Sequence, residues 1–437
     1  MNIAIVGFGL EGKAAYDYWK GKGNITVCDL NKVETPNGVE LQYGENYLAD
    51  IDRFDLIVRS PAVKPKDIVR ASGKSDILDK VTTNSNEFFR VCPTRNIIGV
   101  TGTKGKGTTS TLIAKMLESS GKQVHLGGNI GLAPLDLLKD NIQIDDWVVL
   151  ELSSFQLVDL KYSPLIGICL MVTAEHLDWH TEVDEYYNAK TMMFRHQTTE
   201  DIAIYLGSDP YSKRIASTGE ARKIPYFIKP GALIDNGFVS IDDQNICHTS
   251  ELGLIGKHNW QNVCAAVTAV WQVDRNIDTI KKVLMSFKGL EHLLELVSEI
   301  NGVSFYDDSF GTTPETAIVA MEAFDKPKII ILGGSDKGAD YTQLAHAVKR
   351  NNVRTVVLIG DQGPRIKTAL DKAGFTASVS GGSDMRNIVK NAFTAAQPGD
   401  VILLSPACAS FDMFINYKDR GNQFKQAVLE FAASDEQ

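Results

Sequence analysis

The stretch at residues 97–117, IIGVTGTKGKGTTSTLIAKML, has the residue types and spacing to bind a phosphate chain. An apolar run leads into the loop TGTKGKGTT, and apolar residues then recur at helical spacing. Glycines let backbone N–H groups turn toward an anion, and a helix N-terminus adds positive partial charge. Lys106 can reach β- and γ-phosphates, while Thr108 or Thr109 can offer a hydroxyl to magnesium. The sequence predicts a strand, a phosphate-binding loop and a helix.

The loop departs from the strict G-x-x-x-x-G-K-[ST] pattern, because position 100 is valine and position 107 is glycine. A glycine-rich turn that contains two unrelated lysines is therefore the alternative to phosphate binding. The surrounding elements have to decide between the two.

Two later segments place polar residues at strand ends. WVVLE (147–151) ends in Glu151, and a carboxylate at the tip of a buried strand beside a phosphate loop is suited to bind magnesium. IGICLMV (166–172) leads to AEHLDWH, where His176, Asp178 and His180 also fit a zinc pattern. We rank zinc low, because alternate positions close a tetrahedron poorly and no downstream ligand completes it.

The N-terminal segment carries a second nucleotide pattern. Gly7, Gly9 and Gly12 have the G-x-G-x-x-G spacing, and Asp29 follows at the distance of a ribose-binding acid. Alone, this favours NAD. A better-equipped phosphate loop follows, however, and no hydride-transfer residues are evident. The same geometry can hold the diphosphate of a UDP-sugar on a helix N-terminus.

Composition narrows the classes of partner. The chain has 437 residues, 43% of them hydrophobic, and a net charge of −9, so a nucleic-acid or anionic-membrane partner is not expected. The six scattered cysteines predict reduced, buried thiols. No run approaches the ~18 apolar residues of a membrane span, and no export signal precedes the first strand. We expect a cytoplasmic protein, and a monomer.

A set of motifs occurs in a fixed order along the chain: TGTKGKGTT, GGNIG at 127–131, ELSSFQL at 151–157, AEHLD at 174–178, YNAK at 187–190, G-x-H-N-x-x-N at 256–262, GGSDKGAD at 333–340 and SPACASFD at 405–412. This ordered set resembles the Mur ligases over the whole chain. The resemblance implies an α/β chain of three domains: a Rossmann-like UDP-sugar domain at 1–92, a doubly wound, P-loop ATPase-like domain at 93–287 and a Rossmann-like, glutamate-binding domain at 288–437. It also implies a role in peptidoglycan synthesis.

The resemblance further implies an ATP-dependent ligase that adds glutamate to UDP-N-acetylmuramoyl-L-alanine through an acyl phosphate, with two Mg²⁺ ions. The residues it implies fall into four groups: catalytic and metal-binding, Lys106, Thr108, Glu151, His176 and Lys190, the last as a carbamate; ATP-binding, Gly102, Thr103, Lys104, Gly105, Lys106, Gly107, Thr108, Thr109, Asn259, Asn262 and Asp308; UDP-sugar-binding, Gly9, Leu10, Glu11, Asp29, Leu30, Ser60 and Asn129; glutamate-binding, Thr312, Lys337, Ser410, Phe411 and Tyr417.

Some of these residues also have a simpler interpretation. A helical lysine such as Lys190 is usually solvated, and Asp178 and His180 are expected to be solvated or to lie behind the metal ligands. The amides of Asn259 and Asn262, three apart on a helix, suit an adenine edge, but Asn259 could instead cap the helix. Thr312, Pro314 and Glu315 predict the start of a helix with a capping box.

Two positions depart from the family pattern. Leu293 stands where an arginine commonly follows the histidine, and Phe310 stands where a lysine is common. The first predicts weaker use of ATP, and the second leaves the stereochemistry of the glutamate open between the D form, the family default, and the L form. A folylpolyglutamate synthetase-like ligase, an NAD oxidoreductase and a non-catalytic ATP-binding protein remain alternatives.

Overall fold

The computed structural model describes residues 1–176, 179–336 and 338–435. Asp178 and Lys337, both of which the sequence analysis names, lie outside these ranges. The chain forms two compact units, Met1–Leu252 with Trp260–Leu284, and Gly253–Asn259 with Met285–Gln437. The predicted boundaries at 92/93 and 287/288 stay a prediction.

The first unit begins with a five-stranded parallel sheet in the order β3-β2-β1-β4-β5. Its strands are interleaved with helices, as short apolar runs that alternate with amphipathic segments predict. The elements in chain order are β1 Asn2–Val6, α1 Leu10–Trp19, β2 Asn24–Asp29, β3 Glu40–Tyr43, β4 Leu56–Arg59, α2 Pro65–Ser72, β5 Val81–Thr82 and α3 Asn84–Val91.

A six-stranded parallel sheet follows in the order β11-β10-β9-β6-β8-β7. Three antiparallel strands, β12, β13 and β14, then form a small separate sheet. The elements are β6 Ile97–Thr101, α4 Lys106–Ser119, β7 Val124–Gly128, α5 Pro134–Leu137, β8 Trp147–Glu151, α6 Ser154–Leu157, β9 Ile166–Cys169, α7 Val183–Arg195, β10 Ile202–Leu206, α8 Pro210–Ala216, β11 Arg222–Tyr226, β12 Leu233–Asp235, β13 Phe238–Ile241, β14 Gln244–His248, α9 Asn259–Val270 and α10 Ile277–Ser286.

The second unit is built on a six-stranded sheet in the order β15-β16-β20-β17-β18-β19, in which only β15 is antiparallel to its neighbour. Its elements are β15 Glu295–Ile300, β16 Val303–Asp307, α11 Pro314–Glu322, β17 Lys328–Gly333, α12 Thr342–Arg350, β18 Val353–Ile359, α13 Gly363–Lys372, β19 Ser378–Ser380, α14 Met385–Thr394, β20 Val401–Leu404 and α15 Tyr417–Asp435.

The predicted α/β class is confirmed, and the apolar runs that were predicted as strands form strands. The capping box of α11 differs from the prediction. Thr313 caps the helix with Thr316, so Glu315 is not the capping partner. The six cysteines are free thiols, and all but the half-buried Cys92 are buried.

A buried arginine ties the first sheet to the segment that follows β8. Arg59 is fully buried at the end of β4 and pairs in bidentate fashion with Asp159, at 2.8 Å and 2.7 Å. Its remaining N–H groups donate to the carbonyls of Ser60, Val63 and Phe155. Because every hydrogen-bonding direction is used, this arginine fixes β4 on the loop after α6.

Candidate active site

The loop between β6 and α4 has the backbone that an anion-binding turn needs. Gly102 and Gly105 have φ angles of 146° and 85°, and α4 begins directly at Lys106. A Cβ on Gly105 would lie 2.1 Å from Asn262 Oδ1, so only glycine fits between the loop and α9. The register places this loop beside the ends of β8 and β9, since Val100 pairs with Glu151 and Thr101 with Cys169.

Two lysines converge on the loop, the half-buried Lys106 and the buried Lys190. Lys106 Nζ donates to the carbonyls of Gly102 at 3.3 Å and Thr103 at 3.0 Å, and Lys190 Nζ donates to the same Gly102 carbonyl at 2.9 Å. Burial lowers the pKa of Lys106. Burial and the nearby Lys106 charge lower the pKa of Lys190 to about 7. Lys190 is therefore not on a solvated helix face, and its charged form is disfavoured by burial and by the neighbouring lysine.

Glu151 lies at the end of β8, as predicted, and is buried. Asn129 Nδ2 donates to its Oε1 at 2.7 Å, and the Asn129 backbone N–H donates to the Glu151 carbonyl. Burial raises the pKa of this carboxyl, while Lys106 and the Asn129 hydrogen bond oppose that rise. The carboxylate thus lies in the field of Lys106 beside the phosphate loop, where a cation would stabilise its charged form.

Tyr186 connects the loop to Lys190, and the sequence analysis missed it. Its hydroxyl lies 2.9 Å from Thr103 Oγ1, which also donates to the Thr173 carbonyl. The Lys190 ammonium lies 4.4 Å from the centre of the Tyr186 ring. The available signal was spacing, because residues four apart on α7 share one helix face.

His176 has a φ of 58°, an uncommon conformation for a histidine. Its ring lies 4.8 Å from that of Phe155 and 6.4 Å from that of Tyr186. His180 was predicted to be solvated or to lie behind the metal ligands, and the first alternative is wrong. His180 is fully buried, stacks on Phe155 and lies 3.0 Å from Ser154 Oγ. Burial lowers the pKa of His180 to about 4, so it is neutral at physiological pH.

The hydroxyls at the start of α4 are buried. Thr108 and Thr109 both lie in its first turn, and Thr109 Oγ1 has no hydrogen-bond partner among the residues that the structure describes. Lys104, by contrast, is half-exposed and pairs with Glu175 at 2.6 Å. Gly107 lies in the same first turn. The predicted ATP-binding loop thus combines a buried hydroxyl that has no described partner with the half-buried Lys106, and these features suit a phosphate chain.

The predicted sugar-nucleotide residues lie at the carboxyl edge of the first sheet. Gly9 precedes α1, Leu10 and Leu30 are exposed, and Ser60 is buried after β4. Asp29 accepts the backbone N–H groups of Phe8 at 2.7 Å and Asn31 at 2.8 Å. This carboxylate therefore stabilises the glycine loop itself, and its contact with a ribose stays a prediction.

The remaining predicted nucleotide residues fall in both units. Asn262 lies against Gly105 in the first unit. Asn259, in the second unit, donates to the Ile255 carbonyl at 2.7 Å. Asp308 is buried after β16 and accepts the Ser405 hydroxyl at 2.6 Å, and burial raises its pKa to about 7.

Of the predicted glutamate residues that the structure describes, Thr312, Ser410 and Phe411 lie on loops at the carboxyl edge of the second unit's sheet, and Tyr417 begins α15. Ser410 is buried, and Phe411, which is exposed, donates its N–H to Ser335 Oγ. The Tyr417 ring lies 5.3 Å from that of Phe310. Thr312 is half-buried in the loop before α11.

Arg420, which the sequence analysis missed, holds the loops after β16 and β20 together. It is fully buried and donates to Ser309 Oγ and to the carbonyls of Ser309, Cys408 and Ala409. Sequence gives little signal for such a residue, because its acceptors lie far along the chain.

A second missed group is the pair His292 and Asp307, joined by a 2.7 Å hydrogen bond from Nδ1 to Oδ2. His292 also donates its backbone N–H to Glu295. Leu293, its neighbour, is one of the two departures from the family pattern.

Among the described residues, no helix has both the length and the apolar character that crossing a membrane requires.

Two family models match the chain. The Mur ligase middle domain matches residues 100–270, and the Mur ligase glutamate ligase domain matches residues 294–408. The UDP-N-acetylmuramoylalanine–D-glutamate ligase of Clostridium kluyveri is 35% identical over 98% of this chain and 96% of its own length. The ligase of the same name from Acetivibrio thermocellus is 35% identical over 99% of this chain and 97% of its own length.

Solved structures share the fold. The MurF ligase of Thermotoga maritima in complex with ADP has a TM-score of 0.59 at 17% identity, covering 98% of this chain and 95% of its own. The UDP-N-acetylmuramate–alanine ligase of the same organism has a TM-score of 0.59 at 17% identity, covering 99% and 100%. FolC of E. coli has a TM-score of 0.56 at 16% identity, covering 81% and 92%.

Proposed function

We propose a reaction from the premise that the relatives establish: the chain belongs to the Mur ligase family. The reaction is ATP-dependent addition of D-glutamate to UDP-N-acetylmuramoyl-L-alanine, with ADP and phosphate as the other products, in peptidoglycan synthesis. The names of the two relatives described above state a ligase of UDP-N-acetylmuramoylalanine and D-glutamate, which supports the two acceptor substrates. The observation that carries the proposal is the convergence of Lys106 and Lys190 on Gly102, beside Glu151.

The residues around the loop between β6 and α4 fit a nucleoside triphosphate and magnesium. The Lys106 ammonium and the start of α4 suit the phosphates. The Thr109 hydroxyl, which lacks a partner among the described residues, and the Thr108 hydroxyl could serve the nucleotide or a cation. Glu151, Thr108, His176 and a Lys190 carbamate would hold two Mg²⁺ ions. When bound, these ions neutralise phosphate charge during transfer.

In the first step, the alanyl carboxylate of the sugar nucleotide attacks the γ-phosphorus of ATP. The bond from γ-phosphorus to the β–γ bridging oxygen breaks, ADP leaves, and an acyl phosphate forms. Lys106 and the loop N–H groups stabilise the charge that builds on the transferring group, so the protein's work is positioning and electrostatics. Water must be kept from the acyl phosphate, because it would hydrolyse this intermediate before the amine attacks.

In the second step, the glutamate amine attacks the acyl carbon. The tetrahedral intermediate loses one proton from nitrogen and expels phosphate as the new amide forms. We assign the amino acid to the residues predicted from the resemblance, Thr312, Lys337, Ser410, Phe411 and Tyr417. Lys337 lies outside the described residues, so its position is part of the proposal.

We assign Lys190 the role of a carbamate. A pKa near 7 leaves a large fraction of the amine neutral at physiological pH, and a neutral amine reacts with carbon dioxide. The product replaces a cation with an anion next to Lys106, which relieves the like-charge contact. Incubation with ¹³C-labelled bicarbonate should give a carbamate signal that Lys190→Met loses. A signal that persists in the variant would assign it to another amine.

Phosphate release tests the reaction. With ATP, Mg²⁺, UDP-N-acetylmuramoyl-L-alanine and D-glutamate, we expect phosphate in proportion to product. Omission of either acceptor substrate should abolish release. Phosphate release that is independent of both UDP-N-acetylmuramoyl-L-alanine and D-glutamate would contradict ligation and favour a protein that only hydrolyses ATP.

The stereochemistry of the glutamate is tested in the same assay. The relatives' names specify D-glutamate, whereas Phe310 packs on Tyr417 where the family commonly has a lysine. An L-glutamate-specific ligase is therefore the second candidate. Parallel reactions with the pure enantiomers decide between the two candidates. If only the reaction with L-glutamate gives product, the assignment of D-glutamate is overturned.

A further inference from the structure

The first turn of α1 contains an acid at the place where the sequence predicts the diphosphate of a sugar nucleotide. Glu11 follows Gly9 and Leu10 at the start of this helix. The partial positive charge of a helix N-terminus suits a carboxylate, so Glu11 could simply stabilise the helix. A bound diphosphate would use the same charge, however, and an ionised carboxylate beside it would repel it. The direction of the Glu11 side chain decides which description fits.

The Glu11 carboxyl is directed into the protein. Gln156 Nε2 donates to Glu11 Oε1 at 2.7 Å. Gln156 is buried, and its own Oε1 accepts the backbone N–H of Ser153 at 2.9 Å and the Ser153 hydroxyl at 3.0 Å. The first turn of α1 is thereby joined to α6, which follows Glu151 by a few residues.

The second carboxyl oxygen has an environment that calls for a proton. Glu11 Oε2 is buried and has no hydrogen-bond partner among the described residues. Asn84 Nδ2 donates to the Glu11 backbone carbonyl at 2.8 Å, and Asn84 Oδ1 is also buried without a described partner. Both atoms are acceptors. A protonated Glu11 has an O–H group to donate, whereas an ionised Glu11 has none.

The charges around Glu11 do little to stabilise its ionised form. Arg59, on β4, is already paired with another carboxylate, since it donates to both carboxylate oxygens of Asp159 on the loop after α6. On α3, Glu87 is paired with Arg90 and accepts the Tyr18 hydroxyl. Near α5, Lys139 pairs with Asp17 and Asp136. Burial, the largest influence, raises the pKa of Glu11 to about 7, against the opposing effects of Gln156 and Arg59.

We propose that Glu11 is a positioning residue of the sugar-nucleotide site that works as a neutral acid: it holds the first turn of α1 on Gln156, and its ionisation weakens binding of the sugar nucleotide. The inference rests on the proposed function, which supplies the sugar-nucleotide substrate, and on the predicted position of its diphosphate at this turn. It adds a dependence of substrate binding on pH that belongs to this chain's own residue.

The test compares the KM for UDP-N-acetylmuramoyl-L-alanine of the wild type, Glu11→Gln and Glu45→Gln, at saturating ATP and glutamate, from about pH 6 to about pH 9, on either side of the Glu11 pKa. Glutamine keeps the size of the side chain and can accept from Gln156, but it never ionises. Glu45, an exposed acid in the same sheet region, is the control for loss of one charge.

We expect the wild-type KM to rise above about pH 7, by about tenfold if the diphosphate raises the carboxyl pKa by one further unit. Glu11→Gln should keep the low-pH KM throughout, and Glu45→Gln should follow the wild type. The KM for ATP should depend on pH in the same way in the wild type and in Glu11→Gln. A Glu11→Gln profile that parallels the wild type would overturn the inference.

A direct measurement keeps the inference separate from the proposed reaction and from any folding defect in the variant. Calorimetric titration of the wild type with UDP-N-acetylmuramoyl-L-alanine, without ATP, should show weaker binding above the Glu11 pKa. Equal affinity on both sides would overturn the role of Glu11 even if ligation is observed. If the sugar nucleotide binds with the expected pH dependence but no ligation occurs, the proposed function is refuted while the proposed role of Glu11 in binding is retained.

Discussion

Replacement of Lys106 by methionine should separate activity from stability. Lys106 is half-buried, and its ammonium donates to two backbone carbonyls, of Gly102 and Thr103. Loss of contact with water lowers the pKa of this ammonium, so removing the charge should cost the fold little. Methionine preserves the length of the side chain without the charge. We therefore expect the free energy of unfolding to stay within about 1 kcal/mol of the wild type or to rise.

The effect on catalysis should be large. Loss of one preorganised charge stabiliser lowers kcat by about 10²–10³, equivalent to about 2.7–4 kcal/mol of transition-state stabilisation. A second effect adds to it, because the Lys106 charge helps to lower the pKa of Lys190. Without Lys106, Lys190 should be more fully protonated and less able to form a carbamate. The carbamate signal of the variant should therefore require higher pH.

The assay pairs initial rates of phosphate release with thermal unfolding. Lys115→Met is the matched control, since Lys115 lies on the same helix but is exposed, and it should leave rate and stability unchanged. A near-normal rate for Lys106→Met would show that the loop binds something other than the reacting phosphate. A loss of stability comparable to truncation of a core side chain would show that the lysine is structural, which would refute the reasoning.

Three further predictions concern other parts of the chain. Leu293→Arg should raise kcat/KM for ATP, since an arginine–phosphate contact contributes about 1.5–3 kcal/mol, and an unchanged or lower ratio would refute that explanation. Asp159→Ala leaves Arg59 buried without its carboxylate, so denaturant unfolding should show that the free energy of unfolding falls by about 3–5 kcal/mol. The double variant Asp159→Ala/Arg59→Met should recover much of this stability. A fall below about 1 kcal/mol in the single variant would contradict the prediction. Gly421→Ala would place a Cβ 2.2 Å from His292 Nδ1, so the melting temperature should fall although alanine favours helix, and a rise would show that the contact relaxes freely.

Local patterns were enough for much of the fold and for the phosphate loop. Short apolar runs between amphipathic segments identify parallel strands, and the glycine spacing identifies the loop before Lys106 because both depend on neighbouring residues. The small sheet of β12, β13 and β14 was missed, although Asn236-Gly237 between β12 and β13 is a typical hairpin signal. Its strands are short and only weakly alternating.

The missed site residues act through contacts that no local pattern encodes. Arg59 meets Asp159 one hundred residues later, and Arg420 meets Ser309 across a similar separation. Lys190 shows the same limit in another way. Its spacing on α7 is that of any surface lysine, and only the packing of the helix on the loop buries it.

The central claim is that the alanyl carboxylate captures the terminal phosphate of ATP at the loop of Lys106. Transfer of ¹⁸O tests it most directly. UDP-N-acetylmuramoyl-L-alanine labelled with ¹⁸O in both carboxylate oxygens is turned over with unlabelled ATP and glutamate, and the released phosphate is analysed by mass spectrometry. The account predicts one ¹⁸O in each phosphate, because that oxygen leaves the acyl carbon bound to phosphorus. Phosphate without the label would contradict it.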